Sequence, residues 1–244
     1  LLSKALNSTL HKERWKYSKA APVLEGLVNA MVQPTLVGAD QAGVQVSRKP
    51  HHKATFDFDL SQAPEAFARL CYAEEAIFIH IEETPAAPLE IKHSGSTLPV
   101  LLSLGENVQA TVLEHFTDVE VAQNTLWINL AEGSHLMHSR NSLEEAPLHW
   151  QYLAVNIGKN ASYLLNNHAT GARLRRQDIQ IKVSGQGGNA ELVSAAMIGA
   201  KMALDQQVTL EHLVANGKSK QVVHNIVADG GKCTFNGRIH IHEG

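Results

Sequence analysis

Apolar and polar residues alternate along this chain from Leu89 onward, and glycine-bearing turns break the alternation at even intervals. Leu102-Ser103-Leu104 runs into Gly105, Ile128-Asn129-Leu130 precedes Gly133, Val155-Asn156-Ile157 runs into Gly158, and Ile181-Lys182-Val183 precedes Gly185. The anchors Leu102, Ile128, Val155 and Ile181 follow one another at a nearly constant step, and one further step lands on Val208, in Val208-Thr209-Leu210. Period-two alternation predicts strands, and a fixed coil length built from strands predicts a solenoid in which each coil buries its apolar face against the next. A sandwich or a closed barrel has no reason to keep a coil length, so the reading is mainly β, a parallel β-helix. The tripeptide Leu-Glu-His, at Leu113 to His115 and again at Leu210 to His212, fits a repeat.

Before the repeat the pattern is mixed. Leu2, Leu6 and Leu10 suit a surface helix over residues 1 to 17, and Trp15 and Tyr17 read as packing anchors. Residues 34 to 53 hold Pro34, Gly38, Gly43, Pro50 and a basic SRKPHHK segment, and are expected to form a loop. Thr55 to Leu60 alternates as a strand, Ser61 can cap a helix through Phe67 and Leu70, and Ala76 to Ile81 returns to strand. Residues 1–86 thus read as a small α+β region, with Pro85 and Pro88 marking the way into a β-helix core over 87–244.

Composition narrows the partners. A net charge of -3 and 44% apolar residues describe an ordinary globular chain, with no basic face for nucleic acid. No apolar run approaches the roughly 18 to 20 residues of a spanning helix, so no membrane partner is expected and the location is read as cytoplasmic. The two cysteines, Cys71 and Cys233, are far apart and imply neither a disulfide framework nor a zinc site. The chain opens on Leu1 and stops at Gly244 after an alternating strand, which reads as a fragment.

Chemistry-bearing candidates are few. Of the 14 histidines, His240 and His242 are two residues apart on a predicted strand, so both imidazoles share a face about 6 to 7 Å apart. Such a pair can grip a metal, as in a cupin, although Thr234 stands where that pattern wants glycine and the later Glu would fall beyond Gly244. A solvated strand face is the expectation, with no metal ligand assigned. His135 and His138 fit neither a strand face nor a helical metal motif, and His51 and His52 lie in the polar loop. Cys233 follows a glycine turn and Lys232, where backbone N–H groups could lower its pKa; a small apolar residue facing the core is the preferred reading. Cys71 is expected to be buried and inert. Gly185 to Gly188 (GQGG) lacks the Lys-Ser/Thr of a phosphate loop and reads as a β-helix corner. With no GxSxG and no paired carboxylates, no catalytic residue is assigned.

Several stretches carry a family resemblance: ERWKYS (Glu13 to Ser18) followed by LEGL (Leu24 to Leu27), PLEIKH (Pro88 to His93), VLEHF (Val112 to Phe116) and VADGGKCTFNGRIHI (Val227 to Ile241). Together they resemble the SufB/SufD family of the SUF iron–sulfur cluster assembly scaffold, on its SufD side. The resemblance implies a right-handed parallel β-helix between helical termini and a non-enzymatic scaffold subunit that pairs with SufB and binds the SufC ATPase. It also implies an iron–sulfur cluster handled by the full complex, with no cofactor held by this chain itself. In isolation a homodimer is the alternative assembly. The family's cluster-associated Cys and His positions and C-terminal helices follow the F-x-G motif (Phe235 to Gly237), so no cluster ligand is assigned to any residue here. The rival functional readings are a cupin-like metal-binding protein and a β-helix carbohydrate-active enzyme.

Overall fold

A computed structural model describes residues 31–50, 75–117, 121–143, 148–170, 172–228 and 230–242. Its strands are β1 (Thr35–Val37), β2 (Val44–Pro50), β3 (Glu75–Ile81), β4 (Leu89–Ser94), β5 (Val100–Leu104), β6 (Gln109–Thr117), β7 (Val121–Leu130) and β8 (His135–Ser142). They continue with β9 (Leu148–Ile157), β10 (Ser162–Thr170), β11 (Leu174–Val183), β12 (Asn189–Ile198), β13 (Ala203–His212), β14 (Lys218–Val227) and β15 (Lys232–Ile241). Among the described residues there is no helix. The expected helices at 1–17 and 61–70, the strand at 55–60, and Trp15, Tyr17, His51, His52 and Cys71 lie outside the described residues.

Two sheets face each other. One runs β1-β4-β6-β8-β10-β12-β14 and the other β15-β13-β11-β9-β7-β5-β3-β2. Each coil gives one strand to each sheet, from β3 with β4 to β13 with β14, and β15 opens the next. Every pairing between coils is parallel; β1 on β4 and β2 on β3 are antiparallel. This is a parallel β-solenoid. β3 falls within residues 1–86 yet stacks in parallel on β5 and supplies Ile77, Ile79 and Ile81 to the shared core.

The spaced anchors stack as the repeat requires: Leu102 pairs with Ile128, Ile128 with Val155, and Val155 with Ile181. The next step differs. Ile181 pairs with Leu210 and not with Val208, which sits opposite Ile179. Relative to the preceding coil one additional residue sits in the corner between β11 and β12 and two in the corner between β12 and β13. Thr170 and Met197 are in register, but five steps lead from Thr170 to Arg175 and seven from Met197 to Leu204, its partner. That corner holds Lys201 at φ 60 and a turn closed by Met202 N–H donating to the Gly199 carbonyl.

Of the expected loop at 34 to 53, the described part, 34–50, is largely strand. Gly38 and Gly43 take positive φ at turns, while Thr35–Val37 and Val44–Pro50 each add an antiparallel strand to a sheet edge. The polar look of Ser47, Arg48 and Lys49 is that of an exposed edge strand, where charged side chains discourage further pairing. The two Leu-Glu-His copies are not equivalent coil positions either. One lies in β6 and turns Glu114 inward, whereas the other lies in β13 and turns Glu211 outward.

The interior is divided lengthwise. The half beside the corners that lead from β5, β7, β9, β11 and β13 is apolar, filled by columns such as Leu102, Ile128, Val155, Ile181 and Leu210. Burying each such side chain contributes roughly 1.5–3 kcal/mol. The other half is polar, and there lies the chemistry.

Candidate functional site

Parallel stacking places every inward residue above its counterpart one coil away, about 4.8 Å off. Polar residues at those positions therefore form columns. In one sheet Glu114, Arg140, Asn167 and Ser194 are stacked; in the other Asn124, Gln151, Gln177 and Gln206. All are buried. The amides run as a ladder: Gln177 Nε2 donates to Gln151 Oε1 at 2.7 Å, and Gln206 Nε2 to Gln177 Oε1 at 3.0 Å. Asn167 Nδ2 ties the two columns by donating to Gln177 Oε1 at 3.0 Å.

At the N-terminal end the seam carries charge. The Arg140 Nε–H donates to Glu114 Oε2, and His93 Nε2 lies 3.0 Å from Glu114 Oε1. The Thr97 hydroxyl meets His93 Nδ1 at 2.7 Å, and Asn124 Nδ2 donates to Thr97 Oγ1 at 3.0 Å. His138 Nε2 lies 3.2 Å from Glu114 Oε2, close enough for charge but not aligned as a hydrogen bond, while its Nδ1 meets the Tyr163 hydroxyl at 2.8 Å. Phe116 stacks on His93 with ring centroids 4.9 Å apart and takes His149 edge-on at 5.1 Å. His149 Nε2 meets Asn124 Oδ1 at 2.8 Å.

The electrostatics follow from burial. Desolvation alone would raise the Glu114 carboxyl, but Arg140, with the nearby imidazoles of His138 and His93, holds it well below the usual carboxylate range. Burial pushes His138 down, against the pull of Glu114. It pushes His149 well down, helped by the positive charge of Arg175. Tyr163 is pushed well up by the same desolvation. The cluster is thus a paired carboxylate and guanidinium, flanked by His138 and His149, whose charged forms burial disfavours.

On the outer face, Arg176 forms a bidentate pair with Asp178 (2.8 and 3.1 Å) and donates to Asp205 on the next coil at 2.7 Å, with its guanidinium 5.9 Å from the Trp150 ring centre. All four are buried. Acidic and basic residues on adjacent coils are what a carbohydrate-cleaving solenoid would need, but here the carboxylates are occupied by Arg176 and hidden from a polymer. At the other end, His80 bridges Ser103 Oγ (2.8 Å) and Glu82 Oε2 (2.6 Å). The order Ser-His-Glu resembles an acid–base triad. However, β5 pairs on both edges, which commits the N–H groups around Ser103 to the ladders and leaves no backbone donor aimed at an oxyanion there.

The residues singled out in the sequence are now placed. Cys233 faces inward against Ala169, Ala196, Ile198 and Leu204, and burial, then the Asp205 charge, push its thiol up. The glycine turn and Lys232 do not activate it. Gly185 to Gly188 is a corner between β11 and β12, as expected, and a Cβ on Gly185 would collide with the Lys159 backbone one coil below. His135 reaches Ser162 on the neighbouring strand, and His138 enters the buried cluster. His240 and His242 do share an outer face, and the structure adds Glu211, which pairs in register with His240. Sequence reasoning missed His93, Glu114, Arg140 and Glu211. Charged residues at inward positions of alternating strands were the available signal for the first three; Glu211 needed the lengthened register.

A model of the SUF system FeS cluster assembly family, SufBD core domain, matches residues 90–244, well over half of the chain. The chain belongs to the SufBD core family. The matched region runs from β4 through β15 and so contains the whole polar seam. Along 99% of its length the chain is also 24% identical to the iron–sulfur cluster assembly protein SufD of Escherichia coli (strain K12), and spans 67% of that protein. This SufBD core is accordingly SufD-like. Among its described residues no helix is long and apolar enough to cross a membrane.

Proposed function

We propose that this chain is a non-catalytic subunit of an iron–sulfur cluster assembly scaffold, partnered by SufB and by a SufC ATPase, with the cluster as cargo of the whole complex. The match of residues 90–244 to the SufBD core carries the reading. The architecture is consistent with it: a stack of parallel coils held by ladders and an interior seam is stiff and offers long faces to partners. The buried pairs Glu114–Arg140 and Arg176–Asp205 join neighbouring coils, and turnover would come from the ATPase. Among the described residues the cysteine is Cys233, which is turned inward with a raised pKa and is assigned no cluster ligand role. The cupin reading does not fit a stack of parallel coils, since cupins are double-sheet jelly rolls.

Anaerobic purification of the tagged full-length protein from its own cells, followed by mass spectrometry, tests the proposal. SufB and SufC are expected to co-purify in fixed ratio. Recovery of the protein alone, at native expression, would overturn it.

A further inference from the structure

The outer face of β13 and β15 brings together three side chains that no part of the architecture described so far uses. Glu211 and His240 are register partners on neighbouring strands, and His242 follows two residues later on the same face. One donor atom from each lies within 4.8 Å of the other two. The imidazoles converge more than strand geometry demands: side chains two apart on a strand stand about 6 to 7 Å from each other, whereas these ring centroids are 4.2 Å apart with planes tilted by 37°. No hydrogen bond or ion pair to another described side chain engages any of the three. Every other buried or half-buried carboxylate discussed above is matched by a cation or donor; Glu211 is matched by two imidazoles.

We infer that Glu211, His240 and His242 form a mononuclear site for a divalent first-row transition cation. Two neutral imidazole nitrogens and one carboxylate oxygen suit ions such as Zn²⁺, Fe²⁺ or Co²⁺, and disfavour Mg²⁺ and Ca²⁺, which take oxygen ligands. Donors that share one ion at ~2.1 Å each stand about 3 to 3.5 Å apart, so small side-chain rotations close the set. Glu211 and His240 are half-buried and His242 is exposed, which leaves the remaining coordination positions open to solvent. An ion held by three protein donors with open positions exchanges, as a loading or transfer site requires. Lys182 lies beside Glu211 on β11 and flanks the carboxylate in its own row of the sheet, while Arg238 precedes His240 by two residues on the same face. The ion must bind on the side of Glu211 away from Lys182, which is where the imidazoles are. The inference goes beyond the assembly role and does not rest on it.

The test is titration of the full-length protein with Co²⁺ under nitrogen, read by visible d–d absorption, with Zn²⁺ as competitor. One Co²⁺ per chain is expected, with bands of a nitrogen- and oxygen-ligated ion that Zn²⁺ abolishes. His240→Ala combined with His242→Ala should remove the bands, Glu211→Gln should weaken binding at least tenfold, and His224→Ala, an exposed histidine on β14, should change nothing. Because the three side chains stand on the outer face, outside the hydrophobic core, the variants should melt like the parent without metal. Unchanged Co²⁺ binding in the double histidine variant, or no saturable binding in the parent below millimolar Co²⁺, would overturn the inference. Partner co-purification is measured separately, so failure here leaves the scaffold reading untouched and the reverse also holds.

Discussion

Glu114 has no exposure to solvent, and its charge is balanced by Arg140 directly above it in the column. Such a pair contributes little net stability, because desolvating both ions roughly cancels their attraction, but removing one member strands the other. Glu114→Ala and Arg140→Ala are each expected to cost about 3–5 kcal/mol in denaturant unfolding. Glu114→Leu with Arg140→Met should recover most of that loss. If the double variant is as unstable as either single one, the pair is an irreplaceable part of the seam and not a compensated couple. The same residues show why the seam was hard to see beforehand. A Glu in VLEHF reads as a solvent-facing position of a half-buried strand, and only its partner Arg140, a full coil further along the chain, shows that it faces in.

At the scale of elements, the corners set the coil spacing. Asn107, Asn160 and Asn216 alternate with Gly133 and Gly187 at equivalent turns, all with left-handed φ. The reason is contact between coils: a Cβ on Gly133 would collide with Asn107 Oδ1, and one on Gly187 with Asn160 Oδ1. Gly230 shares the conformation, φ 75, but a Cβ there meets nothing within 4 Å. Gly230→Ala should therefore cost only the left-handed penalty of about 1–2 kcal/mol. Gly187→Ala should cost about 1–3 kcal/mol more from overpacking. Equal losses in thermal or denaturant unfolding would show that the carboxamides do not hold the corner. Turns, strands and the parallel stack were legible because glycine and alternation are local signals. The antiparallel edge strands β1 and β2 were not, because their polarity reflects a sheet edge and not a missing partner.

For the whole molecule, the seam makes stability below neutral pH depend on acidity in one direction. His138 and His149 have folded pKa values below those of the unfolded chain, so between the two the unfolded state binds more protons and stability rises with pH. Glu114 is also depressed, and its contribution is present above about pH 4.3 and lost as pH falls through its folded value. All three act together. Stability should begin to fall below about pH 6.5, where an unfolded histidine protonates, and fall further below about pH 4.3. His149→Gln should flatten the first part of that decline when unfolding free energy is measured across pH. A decline of the same slope in that variant would place the proton uptake elsewhere.

The lengthened corner at Gly199 to Met202 has a consequence of another kind. A chain of identical coils can mis-thread, with one rung docking where its neighbour belongs, since every rung offers the same hydrogen bonds. Here the gauge widens part-way along, and the following corner keeps the wider gauge, with Gly230 standing where Lys201 stood one coil before and at a similar left-handed φ. A rung displaced by one place at this point would arrive with a coil of the wrong length. The corner acts as an index mark on the screw, and tells the folding chain which thread it is on.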